Sequence, residues 1–142
     1  KSEETEQSVP IWIGLREATS IASALQNVKF DRPMTHDVFK NFSEFLSITV
    51  LKVEVCDLKD STFYARIYFE TRDSNFDIDA RPSDAIALAL RFDAPIYVDE
   101  KVMEQSKMNQ EAGEAVDESE EGKKWAEYLK NLSPDDFGKY KV

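Results

Sequence analysis

The stretch FDIDARPSDAIALALR, Phe76 to Arg91, sets Asp77, Asp79, Arg81, Ser83 and Asp84 around one strand-to-helix corner. Such a corner needs only a capping residue and a turn former. A helix start offers free N–H groups to an anion, Ser83 adds a hydroxyl, and Arg81 can grip a phosphate with two nitrogens. Asp79 and Asp84 are hard-oxygen ligands of the kind that Mg²⁺ or Mn²⁺ takes. Together these are the parts of metal-assisted phosphodiester hydrolysis. A plainer reading needs no ligand: Asp79 pairs with Arg81, Asp84 complements the helix dipole, and Ser83 or Arg81 sits near the cap.

A second cluster, Arg32, Thr35, His36 and Asp37, lies at another helix start. His36 is the single histidine of the chain. Near a helix N-terminus the dipole disfavours imidazolium and keeps neutral imidazole available as a general base or ligand. In the plainer reading Thr35 caps, Asp37 complements the dipole and His36 bonds within the fold. Two polar helix starts in one small domain favour a shared cleft.

The elements that must position these groups follow from periodicity. Val9 to Leu15 reads as a short strand. Ala18, Ile21, Ala22 and Leu25 fall on one face of a helix that ends near Asn27. Pro33 precedes a second helix, with Thr35 as its N-cap and Val38, Phe39, Phe42, Phe45 and Leu46 as a wide apolar stripe. That stripe and Trp12 read as core. Ile48 to Leu58 and Thr62 to Glu70 make a hairpin about Lys59, Asp60 and Ser61. Phe63, Ala65, Ile67 and Phe69 face inward on its second strand, with Tyr64, Arg66 and Tyr68 outward, placed to stack on bases or to meet another subunit. Phe76, Ile78 and Ala80 continue the buried face in a third antiparallel strand. Pro82 to Arg91 is a helix apolar nearly all round, and Pro95 introduces a short strand, Ile96 to Val98.

Length and composition set the frame. The 142 residues suffice for one domain with a real core. The fold class expected is α+β: a single domain over 9–103, its mixed or largely antiparallel sheet packed against amphipathic helices. Residues 104–122 read as an acidic linker or mobile loop. Residues 123–142, with Trp125, Tyr128, Leu129 and Leu132 at helical spacing, read as a short C-terminal helical tail docking on the domain or on a second subunit. No apolar run reaches the roughly 18 residues that span a bilayer, so no membrane partner is expected. The acidic first residues do not read as a secretory signal, and a lone Cys56 reads as a small buried hydrophobe that forms no internal disulfide. A reducing cytoplasm is the expected location.

Net charge is −10, with 12 basic against 18 acidic residues before Met103 and 6 against 10 from it onward. Both parts are acidic. This excludes a broad basic surface that coats nucleic acid, while leaving room for a small site where a metal supplies positive charge.

RPMTHD (Arg32 to Asp37), DSTFYARI (Asp60 to Ile67), DARPSDAIALALR (Asp79 to Arg91) and PIYV (Pro95 to Val98), in this order and spacing, resemble the bifunctional nuclease domain family of bacteria and plants. The resemblance covers about Val9 to Met103 and implies an α+β fold. It also implies cleavage of RNA and DNA, as plant members are described as doing. It makes Arg32, Thr35, His36 and Asp37, with Asp79, Arg81, Ser83 and Asp84, the site candidates.

The expected function is therefore a metal-dependent nuclease of loose sequence preference, acting on single strands as a homodimer. Asp79 and Asp84 would hold Mg²⁺ or Mn²⁺, and His36 beside Asp37 would move the proton. Arg81 and Arg32, with Thr35 and Ser83, would bind the phosphate. Two rivals stand beside it: a non-enzymatic partner-binding domain, which the charge favours, and a small-molecule phosphoester or nucleotide module.

Overall fold

The computed structural model describes residues 7–112, with Lys124, Glu127 and Asn131 beyond them. Among the described residues four helices and four strands follow in the order α1 (Leu15–Leu25), α2 (Thr35–Phe45), β1 (Thr49–Lys59), β2 (Thr62–Glu70), β3 (Asn75–Ala80), α3 (Pro82–Phe92), β4 (Ile96–Val98) and α4 (Glu100–Ala112). The sheet order is β3-β2-β1-β4. β1 pairs antiparallel with β2, and β2 with β3, while β4 returns parallel to β1 after the crossover through α3. The fold is α+β with a mixed sheet, as the patterning predicts.

The β1–β2 hairpin turns on two residues, Asp60 and Ser61, both with positive φ (48° and 60°), and Lys59 pairs with Thr62. That twist matches the right-handed twist of the flanking strands. β1 has register irregularities between Val50 and Lys52 and between Val55 and Asp57. Each extra residue resets the alternation. Val50, Val53, Val55 and Leu58 thereby all face the core with Ala65, Ile67 and Phe69 of β2.

α3 closes this core with Ala85, Leu88 and Ala89, and Val102 of α4 completes it. The alanines of α3 let a neighbour approach closely, and α1 does so through Ser20 and Ser23, both buried. The buried face of α1 is thus turned from the expected apolar stripe: Leu25 is exposed, and Ala18, Ile21 and Ala22 are half-buried. Small polar groups win here because they fit against an alanine surface.

Four further expectations are changed by the structure. Val9 to Leu15 forms no strand; Leu15 already opens α1, Ile11 packs on the core edge, and Trp12 is 93% exposed. The phenylalanine stripe of α2 is not core. Phe42 and Phe45 are 61% and 86% exposed, because α2 turns His36, Lys40 and Ser43 inward instead. Cys56 is only half-buried. The residues read as an acidic linker begin as helix, since α4 runs to Ala112, held by Val102 and Ser106. The expected tail over 123–142 lies outside the described residues but for the three positions named.

Candidate functional site at the helix starts

β3 ends at Ala80, and Arg81 is extended (φ −67°, ψ 145°) as the N-cap of α3, with Pro82 in the first turn. Proline suits this position, where its missing N–H leaves no helical bond unmade. Asp84 follows in the first helical turn and faces the start of α2. There the N-cap is Met34, not Thr35, and its N–H donates to Asp37 Oδ2 at 2.9 Å. Asp37, three residues on, caps in place of the threonine hydroxyl.

The two motifs meet at His36. Its Nε2 lies 3.0 Å from Asp84 Oδ1, and its Nδ1 lies 2.7 Å from Ser20 Oγ on α1. An ionised carboxylate only accepts, so Nε2 carries the hydrogen and, in neutral imidazole, Ser20 donates to Nδ1. Arg81 Nε donates to Asp84 Oδ2 at 2.8 Å, and Arg81 Nη1 to Glu17 Oε1 at 3.0 Å. Ser20, His36, Asp84, Arg81 and Glu17 therefore form one chain of bonds across three helices. Burial works to raise the Asp84 pKa, but hydrogen bonds from Arg81 and His36 outweigh it and hold the carboxyl below its ordinary range. Glu17 is also held low, by a backbone hydrogen bond and by Arg81.

A second knot lies two turns along α3. Arg91 is 8% exposed at its side chain and donates from Nε to Asp37 Oδ1 at 2.7 Å. Its Nη1 donates to the carbonyls of Ser20 (3.1 Å) and Ala87 (3.0 Å). Desolvation works against ionised Asp37, yet the bonds from Arg91 and the Met34 N–H keep its pKa below the ordinary value.

His36, Asp37, Arg81 and Asp84 thus come together from motifs 48 residues apart, in a sheet-and-helix frame of mixed topology. A family model of the bifunctional nuclease domain matches residues 1–111. The chain belongs to this family.

An uncharacterized protein of Mycobacterium tuberculosis, found in two strains, is 42% identical over 135 residues, covering 91% of this chain and 80% of that protein. Bifunctional nuclease 1 of Oryza sativa subsp. indica is 27% identical over 97 residues, or 66% of this chain and 29% of the rice protein. The bifunctional nuclease of Oryza minuta matches to the same extent. This bifunctional nuclease domain thus spans under a third of the rice proteins' length.

The other expected site residues stand apart from the network. Arg32 and Thr35 are exposed just ahead of and at the start of α2, and Arg32 forms no ion pair among the described residues. Ser83 is buried, away from the surface on which Arg81 lies. Asp79 is exposed on β3, opposite Arg66 in register, and does not pair with Arg81, whose partners are Asp84 and Glu17.

Strand alternation puts Asp79 on the outer sheet face, while Asp84 belongs to the helical layer. Both oxygens of Asp84 are engaged, and among the described residues no group of three or more His, Cys, Asp or Glu is arranged to hold a metal. As arranged, Asp79 and Asp84 do not fit a ready-made divalent site.

Sequence reasoning missed Glu17, Ser20 and Arg91. Arg91 had a signal, since it lies seven residues after Asp84 on the same face of an otherwise apolar helix. Ser20 and Glu17 had none beyond being polar on α1.

Proposed function

We propose that this domain is a nuclease that hydrolyses phosphodiester bonds of RNA and DNA with loose sequence preference, acting on single strands as a cytoplasmic homodimer. The observation that carries the reading is the His36–Asp84 pair at the N-terminus of α3, beside an arginine 64% exposed. Arg81 supplies cationic N–H donors to the phosphate and to the charge that builds on it during attack, and Arg32, in the same sequence motif as His36, is offered as a second phosphate contact. Asp84 accepts from Nε2–H and so fixes the His36 ring and its tautomer, leaving Nδ1 as the nitrogen that can accept a proton from water and return it to the leaving oxygen. For that step the Ser20 hydroxyl, which donates to Nδ1, must swing away and leave this nitrogen open to the water. Asp37 and Arg91 hold the start of α2 against α3 and so set where His36 stands. The family membership and the rice relatives' names support the activity.

The test is incubation of labelled single-stranded DNA and RNA with purified protein in Mg²⁺, Mn²⁺ or EDTA. Cleavage of both polymers supports the reading, and the EDTA arm decides the metal dependence expected from the sequence. Full-length substrate in every condition contradicts it. The partner-binding alternative draws on one observation, that both His36 ring nitrogens are already bonded within the fold. It predicts no cleavage by a protein that still folds.

A further inference from the structure

The amphipathicity of α2 is inverted. Its inward residues His36, Lys40 and Ser43 are polar, while its outward side carries Phe39, Phe42, Phe45 and, just past its end, Leu46. A helix in water normally does the reverse. The apolar side continues onto the sheet: Phe39 meets Phe69 with ring centroids 6.2 Å apart, and Phe69 stacks on Phe76 at 5.1 Å. Phe76 and Ile78 are on the core-facing side of β3, yet α3 packs over β1 and β2 and leaves this edge strand open.

Six residues, Phe39, Phe42, Phe45, Leu46, Phe76 and Ile78, are thus 39–86% exposed, and the Phe39–Phe69–Phe76 ring contacts join the α2 and β3 sides through the core. Taking about 150–250 Å² for a large aromatic and somewhat less for Leu and Ile, they offer about 600 Å² of apolar side chain. Two copies facing each other would bury about 1,200 Å² from these residues alone, which is where specific protein interfaces begin.

We infer that this α2–β3 face is the contact surface between two copies of the chain. The inference builds on the homodimer reading above and is independent of the nuclease chemistry. A face of this size can close on itself about a two-fold axis, α2 against α2, which gives a closed dimer. The net charge of −10 on each copy opposes association at long range, so added salt strengthens the dimer. An anionic membrane is disfavoured as the occupant by that same charge. The contact bears on the site, because α2 carries His36 and Asp37 at one end and Phe42 and Phe45 at the other. Covering the apolar side clamps the helix that presents the histidine.

The test is the mass of the full chain in solution, by sedimentation at concentrations on the order of 10 μM, a range in which a specific interface is largely formed. Wild type is expected at twice the 16.3 kDa chain mass. Phe42→Glu/Phe45→Glu, at positions where charge is compatible with folding of one copy, is expected at the single mass with unchanged far-UV circular dichroism. Ile78→Lys, on a different element, is expected to act the same way. Leu25→Glu, on exposed α1, should leave the dimer intact. A monomeric wild type overturns both the surface and the dimer reading, and points to another cover such as residues 113–142. A dimer that persists in both the α2 and the β3 variants overturns the surface alone.

Discussion

His36 Nε2 lies 3.0 Å from Asp84 Oδ1, and this bond ties the start of α2 to the start of α3. Neither residue could do the proposed work alone. Histidine needs a partner to fix its ring and tautomer, and the carboxylate needs donors to remain ionised at the edge of an apolar layer. Arg81 supplies the second donor to Asp84 and also faces solvent.

Arg81 is expected to act on substrate rather than on folding. Arg81→Ala should leave the thermal midpoint nearly unchanged, because the side chain is largely exposed and its ion pairs are screened by water. It should raise KM for an oligonucleotide and flatten the salt dependence of binding by about one phosphate contact. Arg81→Lys should recover charge but not the two-nitrogen grip. Titration of a fluorescent single strand at several salt concentrations measures both effects.

Asp37 and Arg91 are expected to act on folding. Asp37→Asn leaves a nearly buried guanidinium without its counter-charge, a loss of about 2 kcal/mol at neutral pH, between the surface and fully buried limits. Urea unfolding of wild type and variant measures it.

The pH dependence of that difference has a fixed sign. The Asp37 and Asp84 carboxyls both have folded-state pKa values below their ordinary ones. Their stabilising contribution is therefore fully present above the unfolded value of about 3.9 and is lost as pH falls through the folded pKa. Wild type should lose stability faster than Asp37→Asn as the pH falls below about 3.9 and through the lowered folded-state pKa, and the two curves should converge once that pKa is passed. Parallel curves across that range would contradict the assignment.

Much of this was legible in the amino acids. β1, β2, β3 and α3 follow from β-branched runs, strict alternation and the Pro82 start, and the two motifs proved to be neighbours. What misled was polarity read as exposure. On α2 the polar residues face in, because His36, Asp37 and Lys40 find partners on α3 in Asp84, Arg91 and the Phe92 ring, while the phenylalanines face out. Single-chain periodicity gives the direction of a stripe but not whether its cover comes from the same chain. Likewise Ser20 and Ser23 are buried by fit to alanines, a matter of which helix is adjacent, and sequence spacing carries no such information.

The hinge between sheet and apolar face is Phe69, which is 2% exposed and packs between Phe39 and Phe76. Phe69→Ala is expected to cost about 3–5 kcal/mol through lost burial and a residual cavity. Thermal and denaturant unfolding read it directly, and a loss under about 1 kcal/mol would show that this side of the core repacks freely.

The most direct test of the central claim is kcat/KM for cleavage of a labelled single strand by wild type and by Asp84→Asn, purified identically and shown to fold alike. Asparagine keeps the shape but removes the negative charge that faces the His36 ring and Arg81. The account predicts a loss of about 10²-fold or more, the range expected when a positioned acid–base group is disabled. Equal rates in the two proteins would place any cleavage elsewhere and leave the His36–Asp84 pair as a structural tie between two helices.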